Sequence, residues 1–217
     1  TVSATCRITV EEEFEVEGRY LRSYTGRGDE NGVVEIPDDL GITYIYQYAF
    51  FDNDYITKII LPEGLEEIEE AAIYGCENLT EVVFPDSVKQ VNRFALAWNP
   101  NLTTVTGQIP TIGELAFYNC PNLTNIDLSG TMFIEANAFF GDSSLTSVDL
   151  SNTVYVGSRS FGLCTGLTEI ITSEKTVIGS YAFQQCTGLQ EIEINSSQIG
   201  TYAFVYCTSL RSVTFNN

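Results

Sequence analysis

The chain has 217 residues with 10 Lys and Arg against 29 Asp and Glu, and its formal net charge of -19 repels phosphate backbones and anionic lipid, which excludes nucleic acid as a partner. It contains no histidine, so Ser-His and Cys-His catalysis and imidazole zinc sites are ruled out. No apolar run approaches the roughly 20 residues that span a bilayer, so direct membrane insertion is not expected.

Residues 1–32 stand apart from everything that follows. Alternation at Cys6, Ile8 and Val10, then at Phe14 and Val16, predicts strands, and the polar stretch from Thr25 to Gly32 predicts a loop. This segment reads as an N-terminal β cap over the open apolar end of the array that begins at residue 33. Its loop holds Arg27, Gly28 and Asp29, the tripeptide that integrins read, which makes it a candidate integrin-type loop; charged and glycine residues are also what any connecting loop contains. The chain begins with Thr and shows no hydrophobic signal segment, as expected of a processed or excised protein.

From residue 33 to 217 one pattern recurs. Ala49-Phe50, Ala72-Ile73, Ala95-Leu96, Ala116-Phe117, Ala138-Phe139, Ser160-Phe161, Ala182-Phe183 and Ala203-Phe204 are spaced so that their second members, the anchors, recur every 21 to 23 residues. Eight repeats follow. Five positions before each anchor is a β-branched residue, from Ile45 to Ile199, and four of these precede Gly. Three positions after the anchor stand Asn53, Cys76, Asn99, Cys120, Asp142, Cys164, Cys186 and Cys207, a restriction that implies one shared environment. Three residues further, a Leu or Ile opens a short alternating run such as Leu123-Thr-Asn-Ile126-Asp-Leu128, a half-buried strand. A repeat of one strand and a return segment cannot bury its apolar face alone, so parallel stacking must supply the core, with the Phe anchors as an internal spine.

Cysteines in the repeat column, which alternate there with Asn and Asp, read as a structural ladder in preference to disulfides or a metal site; no cofactor is implied. The sequons at Asn78, Asn101, Asn122 and Asn195 are acceptors only in a eukaryotic secretory pathway, and the first three share one repeat position.

Within the strand runs, side chains between the inward residues point outward. Among them Lys58, Glu81, Asn125, Asp127, Ser147, Asp149, Glu169, Glu191 and Glu193 make an acidic candidate binding face, with Asp127 beside Asp149 in successive repeats. Clustered Tyr44, Tyr46, Tyr48 and Tyr55 are a candidate sugar-stacking surface or packing against the cap. The chain stops just after a strand, Val213-Thr-Phe-Asn-Asn217, so it is expected to be a monomer or to self-associate weakly through that C-terminal edge.

The combined pattern, Leu-x-x-Ile-x-Leu-Pro followed by Ile-Gly-x-x-Ala-Phe-x-x-Cys-x-x-Leu, is seen most closely at Ile59 to Leu79 and Ile178 to Leu189. It resembles the BspA-like leucine-rich repeats of bacterial surface proteins and some protozoan parasites, over about residues 33 to 217. Departures are local: Ile73 and Leu96 replace Phe, Gly107 interrupts a strand run and Ser160 replaces Ala. The resemblance implies a leucine-rich-repeat solenoid, horseshoe-like and of the α/β class but strand-rich with little helix. It also implies a non-enzymatic binding module on an exported cell-surface or secreted bacterial protein, adhering to a host-matrix or cell-surface protein or to a glycan. Two alternatives stand beside it: a structural spacer presenting another domain, and a carbohydrate-binding module. Hydrolysis by a pair such as Asp127 and Asp149 fits poorly, because exposed strand positions offer no desolvated cleft to raise one carboxyl's pKa.

Overall fold

The computed structural model describes residues 13–215, so the expected alternation at Cys6, Ile8 and Val10 lies outside it. The runs that follow each Leu do form parallel strands. Val33–Glu35, Lys58–Ile60, Glu81–Val83, Thr104–Thr106 and Asn125–Ile126 make a five-stranded ladder, and Ser147–Asp149 with Glu169–Ile171 and Glu191–Ile194 with Ser212–Phe215 continue the same side as two pairs. Ile59, Val82 and Val105 point inward and are buried, as the alternation requires. The five-stranded ladder stops at Ile126, where the next residue, Asp127, turns its carboxylate onto the Ser129 amide at 2.9 Å; a local side-chain bond of this kind competes with strand pairing.

The return segment is more ordered than one strand per repeat predicts. The β-branched column lies in a second, longer parallel sheet: Tyr44–Ile45, Glu67–Ile68, Gln90–Val91, Thr111–Ile112, Phe133–Ile134, Tyr155–Val156, Thr176–Ile178 and Ser196–Ile199 pair in sequence. An antiparallel hairpin, Phe14–Glu17 with Tyr20–Tyr24, extends this sheet by pairing Tyr20–Leu21 with Tyr44–Ile45. Successive turns approach closely here. A methyl group on Gly157 would lie 2.4 Å from the Glu135 carbonyl carbon, which accounts for glycine after several of the column's residues. Among the described residues the one helical element is a single 3-10 turn, Asp38–Leu40.

Between the two sheets, the turn around each anchor forms a third ladder. Every anchor from Phe50 to Phe183 donates its N–H to the carbonyl preceding the next anchor, as in Phe117 to Ala138 at 2.8 Å and Phe139 to Ser160 at 2.7 Å. The amides two residues after the anchor reach forward too, as in Asp52 to Tyr74 and Trp98 to Tyr118, both at 2.9 Å. Intervening amides close four-residue turns backward, such as Phe51 to Tyr48 and Asn53 to Phe50. Aiming alternate amides along the solenoid axis requires left-handed backbone two residues before and two after every anchor. All sixteen such positions have positive φ, and only Gly75 and Gly141 among them are glycine.

The anchors fill the interior. Phe117, Phe139, Phe161, Phe183 and Phe204 stack with centroids 5.1 to 5.3 Å apart and rings within 5° of parallel. Ile73 and Leu96 interrupt the spine, and Phe50 resumes it against Tyr24 of the hairpin at 5.2 Å. The alanines before the anchors are buried and small, which lets the next turn's carbonyl reach the anchor amide. Phe161→Ala should cost about 3–5 kcal/mol in urea unfolding, whereas Phe161→Leu, which repeats what Leu96 does naturally, should cost less than about 1.5 kcal/mol. Equal losses would show that filling the volume does not suffice and that ring stacking carries the spine.

The Cys, Asn and Asp column has one task. From Cys76 on, each donor-bearing side chain gives a hydrogen bond to the anchor carbonyl one repeat back: Cys76 to Phe50 at 3.1 Å, Asn99 to Ile73 at 2.8 Å, Cys120 to Leu96 at 3.2 Å, Cys164 to Phe139 at 3.2 Å, Cys186 to Phe161 and Cys207 to Phe183 both at 3.1 Å, while Asn53 in the first repeat donates to the Gly26 carbonyl at 3.0 Å. The oxygens of Asn99 and Asp142 also accept the backbone amides of Cys76 and Cys120, at 2.8 and 2.7 Å. The five described thiols are free and buried. Burial pushes Cys76 up to about 12 and Cys120 and Cys164 well above the ordinary thiol range. A thiol reagent applied to the native protein should leave Cys76, Cys120, Cys164 and Cys186 unmodified and label them only in denaturant; labelling before unfolding would contradict the ladder.

Asp142 is the exception that tests the rule. Its Oδ2 is buried without a partner, and the carbonyl the column reserves for it, that of Phe117, receives no donor among the described residues. A carboxylate cannot donate, but a carboxylic acid can. Desolvation raises the Asp142 pKa well above its ordinary value against the lowering effect of the Cys120 amide. Cys120 and Cys164, its neighbours in the column, are held neutral by the same burial. The stability that neutral Asp142 supplies is fully present below the ordinary carboxyl pKa of about 4 and is lost as pH rises through the raised folded-state value. Asp142→Asn restores a permanent donor, as Asn99 has. It should match the parent near pH 4 and exceed it by about 1–3 kcal/mol at higher pH in urea titrations. Parallel pH profiles for the two proteins would refute this.

Candidate binding surface

The outward residues of the leucine-run strands lie where the alternation placed them. Lys58 and Glu81 are ladder partners and form an ion pair of 3.0 Å with both side chains about two-thirds covered, so the one lysine of this face already has a counter-charge. Such a pair at a surface contributes about 0–1 kcal/mol. Asn125, Ser147, Glu169, Glu191 and Glu193 are exposed, and Glu169 sits opposite Ser147 as Glu191 sits opposite Ser212. Glu169, Glu191 and Glu193 border a shallow cleft with Ile171 and Asn195, where the strand pairs that end at Ile171 and begin at Glu191 lie side by side without a shared ladder.

Asp127 and Asp149 are not brought into one ladder. Each turns its carboxylate back onto its own turn: Asp127 Oδ1 accepts the Ser129 amide and Oδ2 the Gln108 side-chain amide at 2.6 Å, while Asp149 Oδ1 accepts the Ser151 amide at 3.0 Å. Hydrogen bonds from Ser129, aided by Gln108, hold the Asp127 carboxyl below its ordinary pKa. A general acid needs the opposite shift. Among the described residues no group of three Cys, Asp or Glu side chains is arranged to hold a metal ion.

In the Arg27-Gly28-Asp29 loop, Asp29 is exposed. Its Oδ1 accepts the amides of Asn31 and Val33 at 2.8 and 2.9 Å, an Asx turn that shapes the loop. The Arg27 guanidinium lies 4.2 Å over the Tyr55 ring, and the Gly28 amide donates to the Tyr24 hydroxyl at 2.8 Å. The four clustered tyrosines are dispersed. Tyr44 stacks on Tyr20 at 4.9 Å, Tyr46 lies beneath Arg22 at 3.7 Å, Tyr55 beneath Arg27, and Tyr48 against Phe51.

The repeated sequons have a structural cause. The side-chain amides of Asn78, Asn101 and Asn122 donate to Asp54, Glu77 and Pro100 carbonyls of the preceding repeat at 2.7 to 2.8 Å, and the hydroxyls of Thr80, Thr103 and Thr124 donate to the carbonyls of Thr57, Thr80 and Thr103.

Two exposed apolar features escaped the sequence reading. Met132, Phe133, Val154 and Tyr155 form a patch across neighbouring strands of the longer sheet, with Phe133 opposite Tyr155. Tyr48, Phe51, Tyr74, Phe94 and Trp98 line a depression along the anchor turns. The signal for the second lay in the repeat register, as aromatics one or two residues from the anchor. It carries weight only once those turns are known to face solvent.

Comparison with known proteins follows the same lines. The sequence matches the family described as BspA type leucine rich repeat region, in six copies, over residues 33–139 and 132–217. No curated protein matches it. Among solved structures it is similar to the T. pallidum leucine-rich-repeat protein TpLRR, at 20% identity and a TM-score of 0.73, covering 92% of this chain and 89% of that one. It is also similar to a leucine rich cell surface protein of Faecalibacterium prausnitzii, at 23% identity and a TM-score of 0.63, covering 93% of this chain and 52% of that one. A leucine-rich repeat protein of Eubacterium ventriosum matches at 23% identity and 0.61, covering 87% of this chain and 46% of that one, so the chain spans about half the length of the latter two. With the anchor spine, the paired strand sides and the family match in register, the chain belongs to the BspA-type leucine-rich-repeat family.

Proposed function

We propose that the array is a non-enzymatic binding module of an exported bacterial surface protein, and that it adheres to a protein of the host matrix or of another cell. The observation that carries this reading is the row Asn125, Ser147, Glu169, Glu191 and Glu193, exposed side by side on a scaffold whose own backbone bonds are closed by its neighbours. Repeat solenoids use such extended faces to hold macromolecules. The family match and the surface description of the F. prausnitzii protein support export. A further structural neighbour was solved as the Toll–Spätzle complex of Drosophila, with a TM-score of 0.56 and 19% identity, covering 85% of this chain and 27% of that one. The hairpin at Phe14–Tyr24, packed through Tyr24 on Phe50, serves in this reading as part of a cap formed by residues 1–32.

A spacer is the second reading, favoured by the longer sheet and the anchor-turn ladder, which link successive turns along the array and stiffen it. An array of matrix proteins, cell-surface receptors and glycans, probed with the parent, Glu169→Gln/Glu191→Gln and Asp29→Glu, separates the possibilities. A saturable protein partner weakened about tenfold or more in the first variant supports the strand face, and one lost in the second places recognition in the Arg27–Asp29 loop. An array that stays silent for the parent sinks the binding reading in favour of the spacer.

A further inference from the structure

An aromatic ridge runs along the anchor turns of the first five repeats. Tyr48 meets Phe51 edge to face at 5.6 Å, Phe51 stacks on Tyr74 at 5.3 Å, and Tyr74 meets Phe94 at 6.4 Å. Trp98, Tyr118 and Phe140 continue the line at 5.9 and 5.6 Å. Tyr48, Phe51 and Trp98 are 53, 45 and 46% exposed, so these rings are not core that happens to reach the surface.

The backbone gives no reason for them. Tyr48, Phe94 and Trp98 stand at φ of 61°, 54° and 57°, where bulky side chains are disfavoured and glycine is not. Gly75 in the preceding turn and Gly141 in a later one occupy the position equivalent to Trp98, so the fold accepts glycine there. Bulky aromatic rings exposed at strained positions point to a use outside the fold.

Charge narrows that use. Glu70 lines the depression between Tyr48, Tyr74 and Trp98, and the Asp52 carboxylate lies close to Gly75, beside Tyr74, in a chain of net charge -19. The molecule already shows the chemistry this setting favours. The Arg93 guanidinium lies 4.5 Å over Phe94 while its Nη1 and Nε reach Glu70 and Glu114 at 3.3 Å each, and Arg159 lies over Tyr181 in a later anchor turn. An aromatic surface rimmed by carboxylates holds cations by the ring quadrupole and by charge together, and Tyr, Trp and Arg are the residues that dominate protein interfaces.

We propose that this ridge docks a basic segment of a protein partner, with Arg or Lys side chains lying against Tyr48, Phe51, Tyr74 and Trp98, with Asp52 as counter-charge and Glu70 shared with Arg93. The proposal rests on the binding-module reading and names the partner's chemistry.

Trp98 is the only tryptophan of the chain, so its fluorescence reports on the ridge directly. The full chain is titrated with a short peptide alternating Arg and Gly, with its citrulline counterpart and with a neutral oligosaccharide, following Trp98 emission and heat of binding together. The Arg peptide should change the emission saturably and the two controls should not. Phe51→Ser/Tyr74→Ser, which leaves the net charge unchanged, should weaken binding about tenfold or more, with circular dichroism showing the fold retained. Equal binding by this variant would reduce the effect to diffuse attraction to an acidic protein and overturn the proposal. So would peptide binding detected by heat with no response at Trp98, or a response to the oligosaccharide in place of the Arg peptide. A partner from the protein array that the Phe51→Ser/Tyr74→Ser variant binds as well as the parent sinks the ridge while the binding-module reading stands, and an array silent for the parent sinks that reading.

Discussion

Each turn of this solenoid leaves backbone amides aimed along the axis, and only the next turn can receive them. In the two sheets the receiving groups are strand carbonyls; around the anchors they are the carbonyls just before the following anchor, at 2.7 to 2.8 Å. A buried amide without a partner costs about 1–3 kcal/mol, so the turns fold together or not at all. Side chains extend the same principle. The Cys and Asn column, the Asn amides and the Thr hydroxyls each close a carbonyl of the preceding turn.

This demand explains what otherwise looks like poor local design. Left-handed backbone recurs at sixteen positions, fourteen of them without glycine, because alternate amides must point the same way. Each such residue is disfavoured locally, and the ladder that the turn completes offsets the strain. Asp142 shows the same precedence. A titratable group sits at full burial because its position needs an oxygen for the Cys120 amide, and the desolvation that follows raises its pKa.

Because the fold closes its own backbone bonds, the outer side chains are released from structural duty unevenly. Lys58 and Glu81 pair with each other, and Asp127 and Asp149 secure their own turns. Among the described residues, Glu169, Glu191 and the exposed rings of the aromatic ridge have no such hydrogen bond or ion pair to account for their exposure. The strand face is thus acidic, while the anchor turns join aromatic rings to the carboxylates of Asp52 and Glu70.

The sequence by itself determined the repeat, its phase, the Phe spine and the inward residues of the leucine runs, because a core shared by stacked turns forces the same residue type to recur at the same step. It also showed that Cys, Asn and Asp share one environment, since only a fixed bonding task restricts a column to those three. The tertiary structure decided the rest. Two-residue strands such as Glu67–Ile68 show no alternation to read, and left-handed turns built from Tyr48, Phe94 or Leu115 lack the glycine that would announce them. Whether Asp127 faced Asp149 or its own Ser129 depended on where the ladder broke. Whether Tyr48 belonged with Tyr44 or with Phe51 depended on which side of the turn each left, and that is fixed by pairing with neighbours some twenty residues away in the chain.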